Sequence, residues 1–116
     1  MSFNFEKLNV WKMAVEFADE IHLMTRGFPK EEMFSLGSQI KRAADSISLN
    51  IAEGATGNSK PEFKRFLGFS SRSCAEVVTC LYHAQMRKYI DQVEFKKHYD
   101  RVEIIFRMIS KLKNTL

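Results

Sequence analysis

Apolar residues recur at helical spacing in four successive segments of the chain. The segments span residues 5–26, 31–53, 59–89 and 91–114. Within each one, apolar side chains return every three or four residues, which is typical of an amphipathic helix. The stripe of the third segment comprises Phe63, Leu67, Ser70, Cys74, Val77, Leu81 and Ala84. That of the fourth comprises Phe95, Tyr99, Val102, Ile105, Ile109, Leu112 and Leu116.

Residues at the segment boundaries provide start and stop signals. Ser59 and Glu62 form a capping box before the third helix, and Asp91 occupies the N-cap position of the fourth. Pro29 ends the first helix, and the stretch 54–58 ends the second. Because the connections are short, neighbouring helices should be antiparallel. The sequence predicts an all-α, antiparallel up-down-up-down four-helix bundle that forms a single domain over residues 1–116.

The first helix differs from the others because it carries two apolar stripes. Their centres lie roughly 150° apart around the helix axis. One stripe comprises Leu8, Trp11, Val15, Ala18 and His22. The other comprises Val10, Ala14, Phe17, Ile21 and Met24. A bundle core covers one stripe, so the second is either an exposed apolar surface or an interface with another subunit. We expect this second stripe to form the interface of a homo-oligomer.

Composition excludes several classes of protein. The 116 residues are 45% hydrophobic and 28% charged, which is typical of a folded globular domain rather than a disordered chain. No apolar run approaches the roughly 18 residues of a membrane span, and the N-terminal segment lacks the pattern of a signal peptide. A cytoplasmic location without membrane association is therefore expected. Cys74 and Cys80 are not at disulfide or ligand spacing, so they are predicted to be reduced core thiols.

The net charge of +4 is unevenly distributed along the chain. Residues 1–59 carry a net charge of −2 and residues 60–116 a net charge of +6. The basic half is either a solvated surface, a nucleic-acid footprint, or a partner for the acidic half of another copy. The candidate phosphate-binding residues are Lys64, Arg65, Arg72, Arg87, Lys88, Lys96, Lys97 and Arg101. Lys96, Lys97 and Arg101 lie off the apolar stripe of the fourth helix, so we expect their joint replacement by glutamate to abolish RNA binding and leave the fold intact.

Catalytic and metal-binding motifs are not found in the sequence. His22, His83 and His98 fall on three different predicted helices, and the HExxH, P-loop and GxSxG patterns are missing. Glu94 and His98 are four residues apart, which is typical of an exposed pair on one helix. We therefore predict no catalytic residue, no metal site and no cofactor.

A polar track follows the second helix beside its apolar stripe. It comprises Gln39, Arg42, Ser46, Asn50 and Glu53, and Ser73 and Glu76 lie in line on the third helix. These side chains either form a hydrogen-bonded network that fixes helix register or a polar surface for a ligand or nucleic acid. We expect Asn50 and Glu53 to be structural, at least partly buried and hydrogen-bonded.

Several short motifs resemble a known family. They are Phe5-x-x-Leu8-x-Val10-Trp11, Phe28-Pro29-x-Glu31, the run Ser46-Ile47-Ser48-Leu49-Asn50-Ile51-Ala52-Glu53-Gly54, Glu62-Phe63-x-Arg65-Phe66-Leu67, and Ser73-x-x-Glu76. With these motifs the chain resembles the large-subunit (23S) ribosomal RNA intervening-sequence proteins, whose fold family includes the accessory protein of diversity-generating retroelements. The resemblance implies a four-helix bundle that assembles into a homopentameric ring, with suspected RNA or DNA binding and no known catalysis. This chain has Arg72 where the family usually has glycine.

Two functional hypotheses follow from the sequence. In the first, the protein is a non-enzymatic oligomer that binds structured RNA or another nucleic acid through its basic surface. In the second, it is a protein-interaction scaffold or an accessory subunit, for example of a reverse transcriptase, that does not bind nucleic acid itself. Salt-dependent RNA binding separates the two, because phosphate contacts weaken steeply as salt rises.

Overall fold

The computed structural model describes residues 2–57 and 59–116 of the chain. Met1, at the start of the N-terminal segment, and Asn58, in the loop expected after the second helix, lie outside the described residues. The α-helices are α1 (Asn9–Thr25), α2 (Leu36–Thr56), α3 (Lys60–Met86) and α4 (Gln92–Asn114). They pack side by side as a bundle of 43 × 22 × 22 Å, which confirms the all-α four-helix fold.

The start signals of α3 and α4 are confirmed by their caps. The Ser59 hydroxyl accepts a hydrogen bond from the backbone N–H of Glu62, and the Asp91 carboxylate accepts one from the backbone N–H of Glu94. The third helix ends three residues earlier than expected, at Met86. Two residues further on, Lys88 adopts a left-handed backbone conformation with φ of 63°, in the tight connection to α4.

The helices α1 and α2 begin several residues later than the apolar pattern indicates. An extended residue, Leu8, separates a short 3-10 turn (Asn4–Lys7) from α1. A second 3-10 turn (Lys30–Glu32) precedes α2, which begins at Leu36. The N-terminal turn folds back onto the bundle, where the Phe5 and Trp11 rings lie 5.0 Å apart. The side chain of Asn4 donates to the carbonyl of Ala55 at 2.8 Å, which ties this turn to the end of α2.

All four helices contribute to one hydrophobic core. Its largest enclosed apolar side chains are Phe17, Ile21, Ile40, Ile47, Ile51, Leu67, Leu81, Ile105 and Ile109. Cys74 and Cys80 are buried in this core as free thiols, as predicted. Burial raises the pKa of Cys74 to about 12 and that of Cys80 to about 11, so both stay protonated at neutral pH. In the described part of the chain, no helix is long and apolar enough to cross a membrane.

The prediction that the second stripe of α1 faces another subunit is wrong. All five of its residues are buried in the core of this chain, and none is more than 8% exposed: Val10, Ala14, Phe17, Ile21 and Met24. The other stripe is only partly covered within the same chain: Trp11 packs on Phe5 and Ala18 is buried, whereas Val15 and His22 are exposed. Periodicity identifies two stripes but does not state which of them faces the neighbouring helices.

Candidate nucleic-acid interface

The eight predicted basic residues do not form a single patch. Lys64, Arg65 and Arg72 lie in the first half of α3, whereas Arg87 lies at its opposite end. Because a helix rises 1.5 Å per residue, Lys64 and Arg87 are about 35 Å apart along the axis. Lys88 lies in the connection between α3 and α4. Lys96 and Lys97 lie in the first turns of α4, and Arg101 lies further along that helix.

Carboxylates neutralise part of the group near the α3–α4 connection. The Arg87 guanidinium lies 3.2 Å from a carboxylate oxygen of Glu32, and the Lys96 ammonium lies 2.7 Å from that of Asp100. Glu32 also accepts hydrogen bonds from the hydroxyls of Ser35 and Tyr89. These two bonds are the main reason why the pKa of Glu32 falls to about 2. Arg87 therefore ties the α3–α4 connection to the α1–α2 connection, which is a structural role.

Arg101 also has a structural role. Its Nη2 atom lies 2.9 Å from Oε1 of Glu20, and both side chains are partly buried between α4 and α1. Glutamate at position 101 would place two carboxylates at this contact. For Arg101 we therefore expect charge reversal to destabilise the fold, in contrast to Lys97 on the exposed surface of α4.

The basic residues of α3 border a groove that α4 completes. The groove has a volume of about 570 Å³, and its cationic lining residues are Lys64, Arg65, Arg72 and Lys113. Lys113 was not among the sequence candidates. Its position could have been found from the short connection between α3 and α4, because antiparallel pairing places residue 113 beside residue 68. We call this surface the basic groove.

The cations of the basic groove differ in how they are held. The guanidinium of Arg65 lies 2.8 Å from Glu62 and above the rings of Phe66 and Phe69, at 5.9 and 5.3 Å from their centroids. Within residues 2–57 and 59–116, Lys64, Arg72 and Lys113 form no ion pair with a carboxylate. The groove therefore concentrates uncompensated positive charge on a concave surface, which is suited to a polyanion.

The middle of the polar track is a hydrogen-bonded contact between α2 and α3. The Ser46 hydroxyl donates to the Ser73 hydroxyl at 2.6 Å, and the Asn50 amide donates to the carbonyl of Ser46 at 2.8 Å. Sequence reasoning missed Ser70, which it assigned to the apolar stripe of the third helix. Its buried hydroxyl donates to the carbonyl of Ile47 at 2.9 Å and extends the same contact into the core.

The outer members of the polar track do not belong to this network. These outer members are Gln39, Arg42, Glu53 and Glu76. All four are exposed, and their side chains form no hydrogen bond within the part of the chain that the structure describes. The expectation of a structural, partly buried residue is confirmed for Asn50 and wrong for Glu53. At about 100° per residue, three residues make about 300°, which is about 60° in the opposite sense. Position 53 therefore lies about 60° further from the core-facing side of α2 than position 50.

The histidines take positions that the sequence did not predict. His98 is 2% exposed, because it lies one turn before Val102 on the buried face of α4. Its Nε2 lies 3.5 Å from the Glu94 carboxylate, so the expected pair is present but His98 is not exposed. His22 contacts Asp45 of α2, with 3.0 Å between its Nε2 and the nearer carboxylate oxygen. Among the residues of the described ranges, no three His, Cys, Asp or Glu side chains are grouped closely enough to hold a metal ion.

Together, the fold and the surface define a small antiparallel helical-bundle protein with a basic groove between two of its helices. The model of the 23S rRNA-intervening sequence protein family matches residues 6–111, and the chain therefore belongs to that family. The description of this family names no catalytic activity.

A solved structure of similar fold comes from Bacteroides thetaiotaomicron. It is the crystal structure of a protein with unknown function from the S23 ribosomal protein family, with a TM-score of 0.83 and 22% sequence identity. The match covers 90% of this chain and 95% of that chain. Comparison with curated proteins gives no significant match. The similarity shows that the two chains share the same fold over the matched range.

Proposed function

We propose that this protein is a non-enzymatic nucleic-acid-binding protein and that RNA binds in the basic groove. The observation that carries the proposal is the convergence of Lys64, Arg72 and Lys113 on one concave surface without carboxylate partners in the described ranges. Lysine and arginine contacts to phosphates supply affinity that does not depend on base sequence. The family's description, which refers to 23S rRNA, supports RNA as the first ligand to test.

The proposal includes assembly into a homo-oligomer, and the resemblance to the family favours a ring of five subunits. Because the second stripe of α1 is buried in the core of this chain, the interface between subunits must use other apolar side chains. Candidates that are 46–66% exposed are Leu23, Leu49 and Ile104. A ring would present several copies of the basic groove, so weak contacts would add through avidity. Light scattering should give a mass of five 13.5 kDa subunits, and a monomer mass at micromolar concentration would contradict this assembly.

A second candidate function is protein docking. Phe34, Met86 and Val93 are 90%, 82% and 76% exposed, and they lie in or beside the α1–α2 and α3–α4 connections. These connections are joined by the contacts of Glu32 with Arg87 and Tyr89, so the three apolar side chains lie at the same end of the bundle. Exposed apolar side chains at one end favour a partner protein there, as in a scaffold or accessory subunit.

Fluorescence anisotropy with labelled RNA tests the proposal. The double variant Lys64→Glu, Arg72→Glu reverses two charges in the basic groove. The control Lys96→Glu, Lys97→Glu makes the same change in net charge near the α3–α4 connection. We expect the groove variant to lose at least about tenfold in affinity, with a shallower dependence on salt, because fewer counterions are released. The control should bind nearly as well as the unmodified protein.

The opposite results discriminate between the candidate functions. If the control loses affinity and the groove variant does not, the RNA site lies near the α3–α4 connection. If the unmodified protein binds no RNA even at about 50 mM salt, where phosphate contacts are strong, the nucleic-acid proposal fails and docking of a protein partner is favoured. Thermal melting of each variant checks that the bundle remains folded.

A further inference from the structure

The basic groove continues along the same pair of helices into an apolar stretch. Ala75, one helical turn after Arg72, begins a second depression of about 390 Å³ between α3 and α4. Its apolar lining includes Val78, Tyr99 and Phe106. We call this stretch the aromatic groove.

Further aromatic rings extend the aromatic groove toward the α3–α4 connection. The rings of Phe95 and Tyr99 stack with centroids 5.7 Å apart, and Tyr82 meets Phe95 edge-on at 4.9 Å. Tyr82 is 52% exposed and Phe106 is 44% exposed, so ring surface is accessible at both ends of this cluster. From Lys64 to Tyr82 the combined groove is about 27 Å long, at 1.5 Å per helical residue.

We propose that the α3–α4 groove binds an unpaired segment of nucleic acid, with phosphates at the basic groove and bases against Phe106, Tyr99 and Tyr82. This inference rests on the proposed function and specifies its ligand. In a duplex the flat faces of the bases are stacked on one another and cannot reach protein side chains. In single strands and loops they are free to stack on aromatic rings. A site that joins uncompensated cations to accessible aromatic rings therefore fits an unpaired strand better than a duplex.

The charge of the surrounding residues favours a polyanion over an apolar protein segment as the occupant. The basic groove lies directly next to the aromatic groove on the same two helices. Glu103 also lines the aromatic groove, but the Arg107 guanidinium lies 3.5 Å from its carboxylate and offsets its charge. A partner that buried only the apolar stretch would leave the neighbouring cations without counter-charge.

The test compares the binding of a labelled single strand with the binding of the matching duplex at equal salt. A strand of about 12 nucleotides is used, because this length lies within the range of known single-strand sites. We expect the single strand to bind at least about tenfold more tightly. Phe106→Ala should weaken single-strand binding by about five- to a hundredfold, the effect of losing one base–aromatic stack, and leave the salt dependence unchanged. Phe34→Ala, which removes a 90% exposed phenylalanine elsewhere, is the matched control and should change nothing.

Conservative variants separate stacking from folding. Phe106→Tyr keeps a ring and should retain the affinity, whereas Phe106→Leu keeps apolar bulk and should lose it. If the duplex binds as tightly as the single strand and Phe106→Ala has no effect, this inference is overturned while RNA binding by the basic groove stands. If neither ligand binds the unmodified protein, the proposed function itself fails. If Phe106→Ala instead lowers the oligomer mass, the aromatic groove is a subunit interface and the inference is overturned.

Discussion

The hydroxyl of Ser46 on α2 donates a hydrogen bond to the hydroxyl of Ser73 on α3 across 2.6 Å. Ser73 in turn donates to the carbonyl of Phe69 in its own helix, at 3.1 Å. Such a short contact between two backbones requires small side chains on both helices. The pair therefore links the register of α2 and α3, and α3 carries one wall of the basic groove.

Replacing Ser73 by alanine should lower the free energy of unfolding by about 0.5–1.5 kcal/mol, the usual net value of one hydrogen bond. Ser71→Ala is the control, because Ser71 makes no side-chain hydrogen bond in the described part of the chain. Urea denaturation of Ser46→Ala, Ser73→Ala and the double variant measures the coupling directly. Purely additive effects would show that the two hydroxyls do not depend on each other.

Two helical glycines should respond in opposite directions to alanine. A Cβ at Gly54 would lie 2.7 Å from the Cβ of Phe66 and 3.0 Å from the Phe63 ring, in the tight contact between α2 and α3. Overpacking of this kind costs about 1–3 kcal/mol, which equals or exceeds the gain of about 1 kcal/mol in helix propensity. Among the residues that the structure describes, a Cβ at Gly68 meets only the Lys113 Nζ atom, at 3.6 Å.

Thermal melting should therefore show a lower melting temperature for Gly54→Ala and a higher one for Gly68→Ala, relative to the unmodified protein. The Gly68 variant isolates the propensity gain, since its new methyl group displaces nothing. Equal shifts in the two variants would contradict the close approach of α2 and α3 at Gly54.

The buried imidazole of His98 should make the bundle less stable in mild acid. Burial lowers the pKa of His98 below its ordinary 6.5, and this outweighs the attraction of Glu94 and Glu20, which raises it. Below about pH 6.5 the unfolded chain therefore binds a proton that the folded chain does not, and the free energy of unfolding falls as the pH is lowered. Above that pH the imidazole is neutral in both states.

His98→Leu removes this titration, so the variant should lose less stability than the unmodified protein between pH 7.5 and about pH 5.5. Urea denaturation at several pH values across this window provides the measurement. Lys97 faces the same region and disfavours protonation, so the two proteins should differ most at low salt. Identical pH dependence in the two proteins would contradict a neutral, buried His98.

Charge reversal at Arg101 should destabilise the contact between α1 and α4. In Arg101→Glu, the Glu20 carboxylate loses its partner and faces a like charge, at an expected cost of about 1–2 kcal/mol for a half-exposed pair. Lys97→Glu, the control on the exposed surface of α4, should change the free energy of unfolding little. The double variant Glu20→Arg, Arg101→Glu should recover part of the loss, and its failure to do so would show that the pair does not act through charge.

The sequence by itself determined the four helical segments and the N-terminal caps of α3 and α4. Every helix follows from apolar spacing, and the Ser59 and Asp91 caps follow from local chemistry that involves residues three positions apart. The burial of Cys74 and Cys80 was predicted from residue type, since a free cysteine usually serves as a small core residue. These features could be predicted because each depends on contacts within one helix or on the average environment of a residue type.

Only the tertiary structure decided which faces of these helices meet. Periodicity gave α1 two apolar stripes, and packing placed the one with Phe17 in the core because α2 and α4 approach from that side. The summed charge of residues 60–116 indicated a basic half. Glu32 and Glu20, which lie on other elements, neutralise Arg87 and Arg101, whereas Lys113 joins the groove from α4. Ion pairs and grooves depend on the relative rotation of neighbouring helices, which the local pattern of a single helix does not specify.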